Sequence, residues 1–372
     1  MMNRGLEALK ERVLDRGLCV ACGACVSLCP YLCSYQGRTV RLDACDLAEG
    51  RCFDYCPRGR VDPEELHEKL FGAPCMDIAI GTVRRVLMAR ACDPVWAGRV
   101  QNGGVVSALT DFAIRERIID AAILTGREAD LLPRGHIARC REDIMACAGS
   151  TYTSGPTLEA FNRGPWEGDE RIGMVGLPCI VLAMAKMRTS SLKMRTPIDR
   201  VDLTIGLFCT WALDYASFTV FLQERFGDRP VGKLDITPPP ERRMKITAGD
   251  EMHDLSLDEV RGFIRPGCHV CPDMTSEFSD LSVGTVEGEE GWNTVLVRTE
   301  RGEELLRRAE EEGVIQSQPL AGDKLSHLKE ASLLKKRRAI DAIKERGELE
   351  DGYLTLSHAF IQQISSESKE VA

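Results

Sequence analysis

No apolar run in this 372-residue chain approaches the ~20 consecutive residues that span a bilayer. The opening string MMNRGLEALKER also lacks the hydrophobic core of a signal peptide. The expected location is therefore cytoplasmic, with no transmembrane segment. Excess positive charge is missing too: 48 Lys and Arg against 57 Asp and Glu leave a formal charge of −9. Neutralising phosphates requires a basic face, so no nucleic-acid partner is expected. No G-x-G-x-x-G follows a strand pattern and no G-x-x-x-x-G-K-[ST] occurs, so neither a Rossmann dinucleotide site nor a P-loop is indicated. What remains is ordinary globular composition, 44% hydrophobic and 28% charged, at a length suited to two or three domains.

Against these absences stands an excess of sixteen cysteines. Without an export signal they read as metal ligands rather than disulfides. Half lie between positions 19 and 56: Cys19, Cys22, Cys25, Cys29, Cys33, Cys45, Cys52 and Cys56. The string CVACGACVSLCP, Cys19 to Pro30, is the C-x2-C-x2-C-x3-C-P run of bacterial ferredoxins. Three thiolates on one tight loop reach three irons of a [4Fe–4S] cube, and Gly23 lets the backbone fold closely around them. Structural zinc would call for two ligand pairs instead. The second half, CDLAEGRCFDYCP, keeps the terminal C-x3-C-P but lacks the middle cysteine of the triplet. The cross-over rule assigns Cys19, Cys22, Cys25 and Cys56 to one cluster and Cys29, Cys45 and Cys52 to another. Cys33, one turn beyond Cys29, is the candidate fourth ligand. The competing reading is a degraded second site in which Cys33 is a small apolar residue.

VDPEELHEKLFGAP then predicts a capped helix stopped by Gly72 and Pro74. From Val83 the pattern alternates between strands and helices, which predicts an α+β fold with a mixed α/β core. Strands are expected at 121–126, 171–179 and 201–209, and helices at 105–117 and 180–188. Two of the strands end at cysteines, Cys179 and Cys209, where open α/β sheets place their sites. PGCHVCPD adds the pair Cys268 and Cys271. These four match the ligand count of a third cube, but buried packing, zinc binding or redox chemistry fit the same spacing. QNGGVVS (101–107) leads into a helix and suits a phosphate at its N-terminus, while AGSTYTSGP (148–156) is rich in hydroxyls; each is equally a cap or a loop. The division expected is a ferredoxin-like module at 1–72, a large domain at 83–300 and a charged helical tail at 301–372. That tail reads as solvated surface or as a partner-docking region.

Taken in order, QNGGVVSAL, IIDAAI, CAGSTYTSGP, MVGLPC, IGLFC, GCHVCPD and DLSVGTVEGEEGWNTVLVRT resemble the beta subunits of coenzyme F-420-reducing hydrogenases and F-420-dependent dehydrogenases. The resemblance implies that the large domain binds FAD and one [4Fe–4S] cluster. The cluster ligands carry over onto Cys179, Cys209, Cys268 and Cys271. The FAD contacts carry over onto Gln101, Asn102, Gly103, Gly104 and Ser107, and onto Gly149, Ser150 and Tyr152. It implies hydride exchange with coenzyme F-420 without a catalytic triad or an essential histidine. The partners it implies are hydrogenase, formate dehydrogenase or heterodisulfide-reductase-type subunits. Thr151 stands where relatives commonly carry Lys, and Trp211 where many carry an acidic or small polar residue. Both departures bear on the acceptor, and a ferredoxin-fed reductase acting on another substrate is the competing expectation.

Overall fold

The computed structural model describes residues 4–127, 131–237 and 241–366. Its N-terminal part carries little regular structure. Residues 6–14 coil helically, a hairpin joins β1 (Leu32–Tyr35) to β2 (Arg38–Arg41), and one short helical turn spans Arg51–Asp54. So short a segment cannot close a core alone. Leu6, Leu9, Val13, Phe53 and Val61 instead share one with Leu182, Val270, Ile343, Tyr353 and Leu354. The helix that follows runs Pro63–Phe71, with the Asp62 carboxylate accepting from Glu65 N and Gly72 ending it at φ 70°.

The rest is built on an eight-stranded sheet. Its strands are β3 (Arg85–Ala91), β4 (Ala121–Arg127), β5 (Pro133–Ala138), β6 (Ile172–Gly176) and β7 (Val201–Leu207), then, further along the chain, Leu281–Thr285, Asn293–Val297 and Ile315–Pro319. Between β7 and the sixth of these strands an insertion makes a separate antiparallel sheet of β8 (Val231–Ile236), β9 (Arg243–Ala248) and β10 (Glu251–Ser256). The later strands of the large sheet are accordingly β11, β12 and β13. The order is β13-β3-β12-β11-β7-β6-β4-β5, with β11, β7, β6 and β4 mutually parallel. β6 is buried along its whole length, as a central parallel strand is. Helix Val105–Arg115 covers one face through Val105, Ala108, Leu109 and Phe112, which pack on Leu87, Leu203, Ile205 and Val295. Helix Pro178–Thr189 packs among Ile123, Ile172, Met174 and Val201.

Residues 300–319 do not begin a tail. Helix Glu300–Glu311 and β13 complete this sheet, because β13 pairs with β3 from Ile315↔Ala91 to Pro319↔Leu87. The helix after it, Gly322–Glu345, is not solvated all round either: Leu328, Ser332, Leu333, Lys335, Lys336, Ala339, Ile340 and Ile343 are buried. Beyond it the chain returns to the N-terminal part. Tyr353 O accepts from Val61 N, and Thr355 N donates to Val61 O. Among the described residues no helix is long and apolar enough to cross a membrane.

Candidate functional site

In a parallel array the carboxyl ends of the strands face one way, and their loops meet there. The loop after β3 carries Gln101–Gly104, the helix after β6 opens on Pro178 and Cys179, and β7 runs into Cys209. Cys268 and Cys271 follow the inserted sheet and dock beside Cys209, whose N–H donates to Met274 O at 2.9 Å. The electrostatics place the four thiols together. Burial, then Cys22, Cys209 and Cys271, raises the Cys179 thiol. Burial pushes Cys209 up to about 12, with Cys268 and Cys271 adding and Lys335 opposing. Cys271 goes the other way: burial would raise it, but Lys335 and Arg58 carry it below its ordinary value. A cavity of about 720 Å³, counting its open mouth, borders Cys179 and Cys271 and is lined also by Arg58, Lys336 and Tyr353.

The N-terminal cysteines divide in two. Burial first, then Cys56 and Cys19, pushes the Cys22 thiol up to about 12, and Cys25 is raised by burial with Cys56, Cys19 and Cys22. Thr39 Oγ1 lies 3.6 Å from Cys19 Sγ and 3.9 Å from Cys25 Sγ. Apart from these, Cys52 is pushed up to about 11 by burial, with Cys29 and Cys45 adding. Cys29 and Cys45 pack in the same core as Cys52, and Cys33 stands on β1 opposite Val40. No group of three or more His, Cys, Asp or Glu side chains among the described residues is arranged to hold a single metal ion. Buried thiols with raised pKa values bind metal only by releasing protons.

The first loop is shaped for close approach. Ala21, Gly23 and Ser27 adopt positive φ, and a Cβ on Gly23 would lie 2.7 Å from Glu159 N. Asn162 Nδ2 donates to Gly23 O, Ala24 O and Val26 O at 2.7–3.2 Å, and Leu158 N donates to Cys22 O at 2.9 Å. The helix holding Leu158 and Asn162 follows directly on the 148–156 loop, so the thiol loop and that hydroxyl-rich loop are joined rigidly.

Gln101 ties the two glycine-rich segments to the inserted sheet. Its Nε2 donates to Tyr152 Oη at 3.0 Å and to Asp235 Oδ1 at 2.7 Å, and its Oε1 accepts from Ser150 Oγ. Ile236 N donates to the same phenol at 3.0 Å. Burial raises the Tyr152 pKa, so the hydroxyl stays protonated; it accepts twice, and its own hydrogen meets no acceptor among the described residues. Ser154 Oγ nearby is buried without a partner. Asn102, Gly104 and Gly149 adopt positive φ, and a Cβ on Gly103 would meet Asn293 Oδ1 and Ala89 O within 3 Å. The first helical N–H, that of Val105, is already taken by Asn293 Oδ1 at 3.3 Å, so this helix end is less open to an anion than the sequence implies. Ser107 sits in the first turn of the same helix. Trp211 packs with Tyr152 against the core of the inserted sheet.

Sequence reasoning missed Arg58, Asn162, Asp235 and Lys335. Only Lys335 left a trace, as a lysine at an apolar position of a helical stripe.

Known proteins place the chain. The coenzyme F-420 hydrogenase/dehydrogenase beta subunit N-terminal profile matches residues 86–162, and the corresponding C-terminal profile matches residues 169–323. The F-420 hydrogenase subunit beta of Methanothermobacter thermautotrophicus is 30% identical over 278 residues, 73% of this chain and 98% of that one. The F-420-dependent sulfite reductase of Methanocaldococcus jannaschii is 26% identical over 372 residues, 94% of this chain and 54% of that protein. An alignment reaching 94% of this chain takes in most of the N-terminal cysteines. A chain of the F-420-reducing [NiFe] hydrogenase complex from Methanosarcina barkeri superposes with a TM-score of 0.67 at 26% identity, covering 73% of this chain and 94% of that one. This chain belongs to the coenzyme F-420 hydrogenase/dehydrogenase beta-subunit family, a family of oxidoreductases.

Proposed function

We propose that the chain is an iron–sulfur flavoprotein subunit that passes electrons between [4Fe–4S] clusters and FAD and exchanges a hydride with coenzyme F-420, within a hydrogenase- or dehydrogenase-type complex. The observation that carries this reading is a convergence. Cys22 of the first set acts on Cys179 of the third, and the backbone of Cys22 bonds Leu158, on the helix that follows the second glycine-rich loop. Cys19, Cys22, Cys25 and Cys56 would hold one cluster, Cys29, Cys45 and Cys52 a second with Cys33 as the candidate fourth ligand, and Cys179, Cys209, Cys268 and Cys271 a third. The donor chemistry fits: the thiols are largely buried, and Arg58 and Lys335 stand beside those of the third set. Gln101, Asn102, Gly103, Gly104, Ser107, Gly149, Ser150 and Tyr152 would hold FAD, where the unclaimed Tyr152 hydrogen and the orphaned Ser154 hydroxyl await a polar ligand. When bound, the clusters supply single-electron transfer and the flavin supplies hydride exchange.

The protein's own residues bind and orient. Gln101 and Tyr152 fix the two loops against Asp235 and Ile236, so the inserted sheet closes that side to water. No general acid is required of the chain. Protein purified without oxygen is expected to release FAD, to contain about twelve irons if all three sets are filled, and to bleach F-420 when given a partner or a dye. Full flavin and iron without F-420 bleaching would sink the substrate assignment alone.

A second reading has its own support. The alignment with the sulfite reductase relative reaches into the N-terminal module, and Thr151 departs from the lysine that the family resemblance implies at that position. This reading makes the chain a ferredoxin-fed reductase of another substrate. Thr151→Lys discriminates: a gain in F-420 turnover favours the first reading, and no gain favours the second.

A further inference from the structure

A charge removed from water is costly unless an opposite charge compensates it. Lys336 obeys that rule, paired with Glu277. Its neighbour Lys335 does not. It is 4% exposed, and its Nζ donates to two neutral acceptors, Cys209 O at 2.6 Å and Asp273 O at 2.7 Å. Arg58, 1% exposed, donates to Gly267 O at 3.1 Å and to Pro57 O at 3.0 Å and lies across the Tyr353 ring. Among the described residues neither cation forms an ion pair with a carboxylate. The nearest acid, Asp273, spends its carboxylate on Ser276 N and Glu277 N. Both cations face sulfur: Cys271, Cys209 and Cys268 for Lys335, with Asp273 also acting on it, and Cys271, Cys179 and Cys268 for Arg58, with Tyr353 ahead of them. The first thiol set shares Arg58, which acts on Cys22 and Cys56 and donates its backbone N–H to Cys56 Sγ at 3.4 Å. Lys186, which donates to Cys56 O at 2.8 Å, has Asp54 beside it. No cation figures among the groups acting on Cys52.

We propose that Arg58 and Lys335 are the counter-charges of the cluster held by Cys179, Cys209, Cys268 and Cys271, and that Lys335, added to the Arg58 shared with the first set, raises its reduction potential above those of the two clusters in the N-terminal module. This rests on the assignment of those four cysteines as ligands. Four thiolates around a cube carry net negative charge, and reduction by one electron adds one more negative charge, which buried cations stabilise. The electron is drawn from the set holding Cys22, which is oxidised by one electron in turn. The third cluster is thereby the low point in energy at which electrons from the module collect beside the flavin loops. Both cations come from outside the segments matched by the family profiles, residues 86–162 and 169–323, so this setting is particular to chains that carry such a module and such a C-terminal helix.

The test is a reductive titration of the full-length protein, reconstituted anaerobically with iron and sulfide and followed by electron paramagnetic resonance. Cys268→Ser identifies the third cluster by the signal it removes. That signal is expected to have the highest midpoint of the three. Lys335→Gln keeps a donor for the two carbonyls and removes the charge, so it is expected to move that midpoint to lower potential and leave the others in place. Arg58→Gln is expected to lower it together with the midpoint of the cluster held by Cys19, Cys22, Cys25 and Cys56, while Lys335→Arg holds the third midpoint near the original value. A third midpoint below both others, or one unmoved in Lys335→Gln, overturns the proposal. Loss of the signal in Lys335→Gln with retention in Lys335→Arg supports it, since the charge is then needed to hold the cube. Loss in both variants makes Lys335 a matter of shape and overturns it. If Cys268→Ser keeps every signal and all its iron, the ligand assignment itself is wrong, an outcome distinct from an unmoved midpoint.

Discussion

Cys19, Cys22 and Cys25 sit on one short loop, whereas Cys179, Cys209, Cys268 and Cys271 come from three segments spread over about a quarter of the chain. The loop gathers its thiols by local backbone geometry, with Ala21 and Gly23 at positive φ. The dispersed set has no such motif. A helix start, a strand end and a turn after the inserted sheet each deliver one or two thiols to the same place. Yet the compact loop depends on outside support, from Asn162, Leu158 N and Arg265, while the dispersed set rests largely on the sheet. The difference teaches that a motif readable in sequence is not thereby self-sufficient, and that damage should pass from the large domain to the module more readily than back.

The strongest challenge to that asymmetry is Cys268→Ser combined with Cys271→Ser. About four irons per chain should be lost, electron transfer to the flavin should stop, and the spectroscopic signals of the module should persist. Their disappearance would show the two sets to be one unit. Next comes Gly23→Val. Its Cβ would lie 2.7–2.9 Å from the backbone of Glu159 and Pro156 at φ 83°, so the loop cannot stay docked. Iron analysis should show the first set's share lost, while far-ultraviolet circular dichroism keeps the large sheet's signal; a collapsed spectrum would reverse the direction of dependence. Asn162→Ala is milder. It strips a donor from three carbonyls and should cost about 1–3 kcal/mol, read in denaturant as earlier proteolysis at residues 19–29 with the sheet intact.

The smallest effect belongs to a control at the opposite, amino end of the sheet. Arg171 donates to Asp120 from its backbone N and its guanidinium, which holds that carboxyl below its usual value of 3.8. A carboxyl lowered in the folded state stabilises at pH values above its unfolded pKa and loses that contribution as pH falls through the folded value. Both side chains are more than a third exposed, so Asp120→Asn should cost under about 1 kcal/mol at pH 7. Thermal melts should show this difference shrinking below pH 4, with no change in iron at any pH.

Much of the large sheet was legible because its strands are short apolar runs closed by Gly or Cys, as at 121–126 and 201–209. The first thiol set was legible because loop geometry forces a fixed spacing on it. The inserted sheet was missed although it left a signal. Ala248-Gly249-Asp250-Glu251 is a two-residue turn with Gly249 at φ 63°, preceded by the alternation of Met244, Ile246 and Ala248. The flanking prolines and charges of 238–245 drowned that pattern. Residues 301–319 were read as tail because their helix is dominated by charge, and a five-residue edge strand such as β13 carries little hydrophobic pattern. Arg58 and Asn162 could not be read at all, and Lys335 only as a lysine in an apolar stripe, since their role lies in what they reach across the fold.

The pairing of Val61 with Tyr353–Thr355 also sets a timetable. The ribosome makes Val61 roughly 290 residues before its partners, an interval of about 15–60 seconds at ordinary elongation rates. Through that interval the nascent N-terminal segment has thiols but not the residues that close over it. Iron and sulfide delivery to those thiols can therefore begin on an open chain, and emergence of the last helices shuts the compartment behind them.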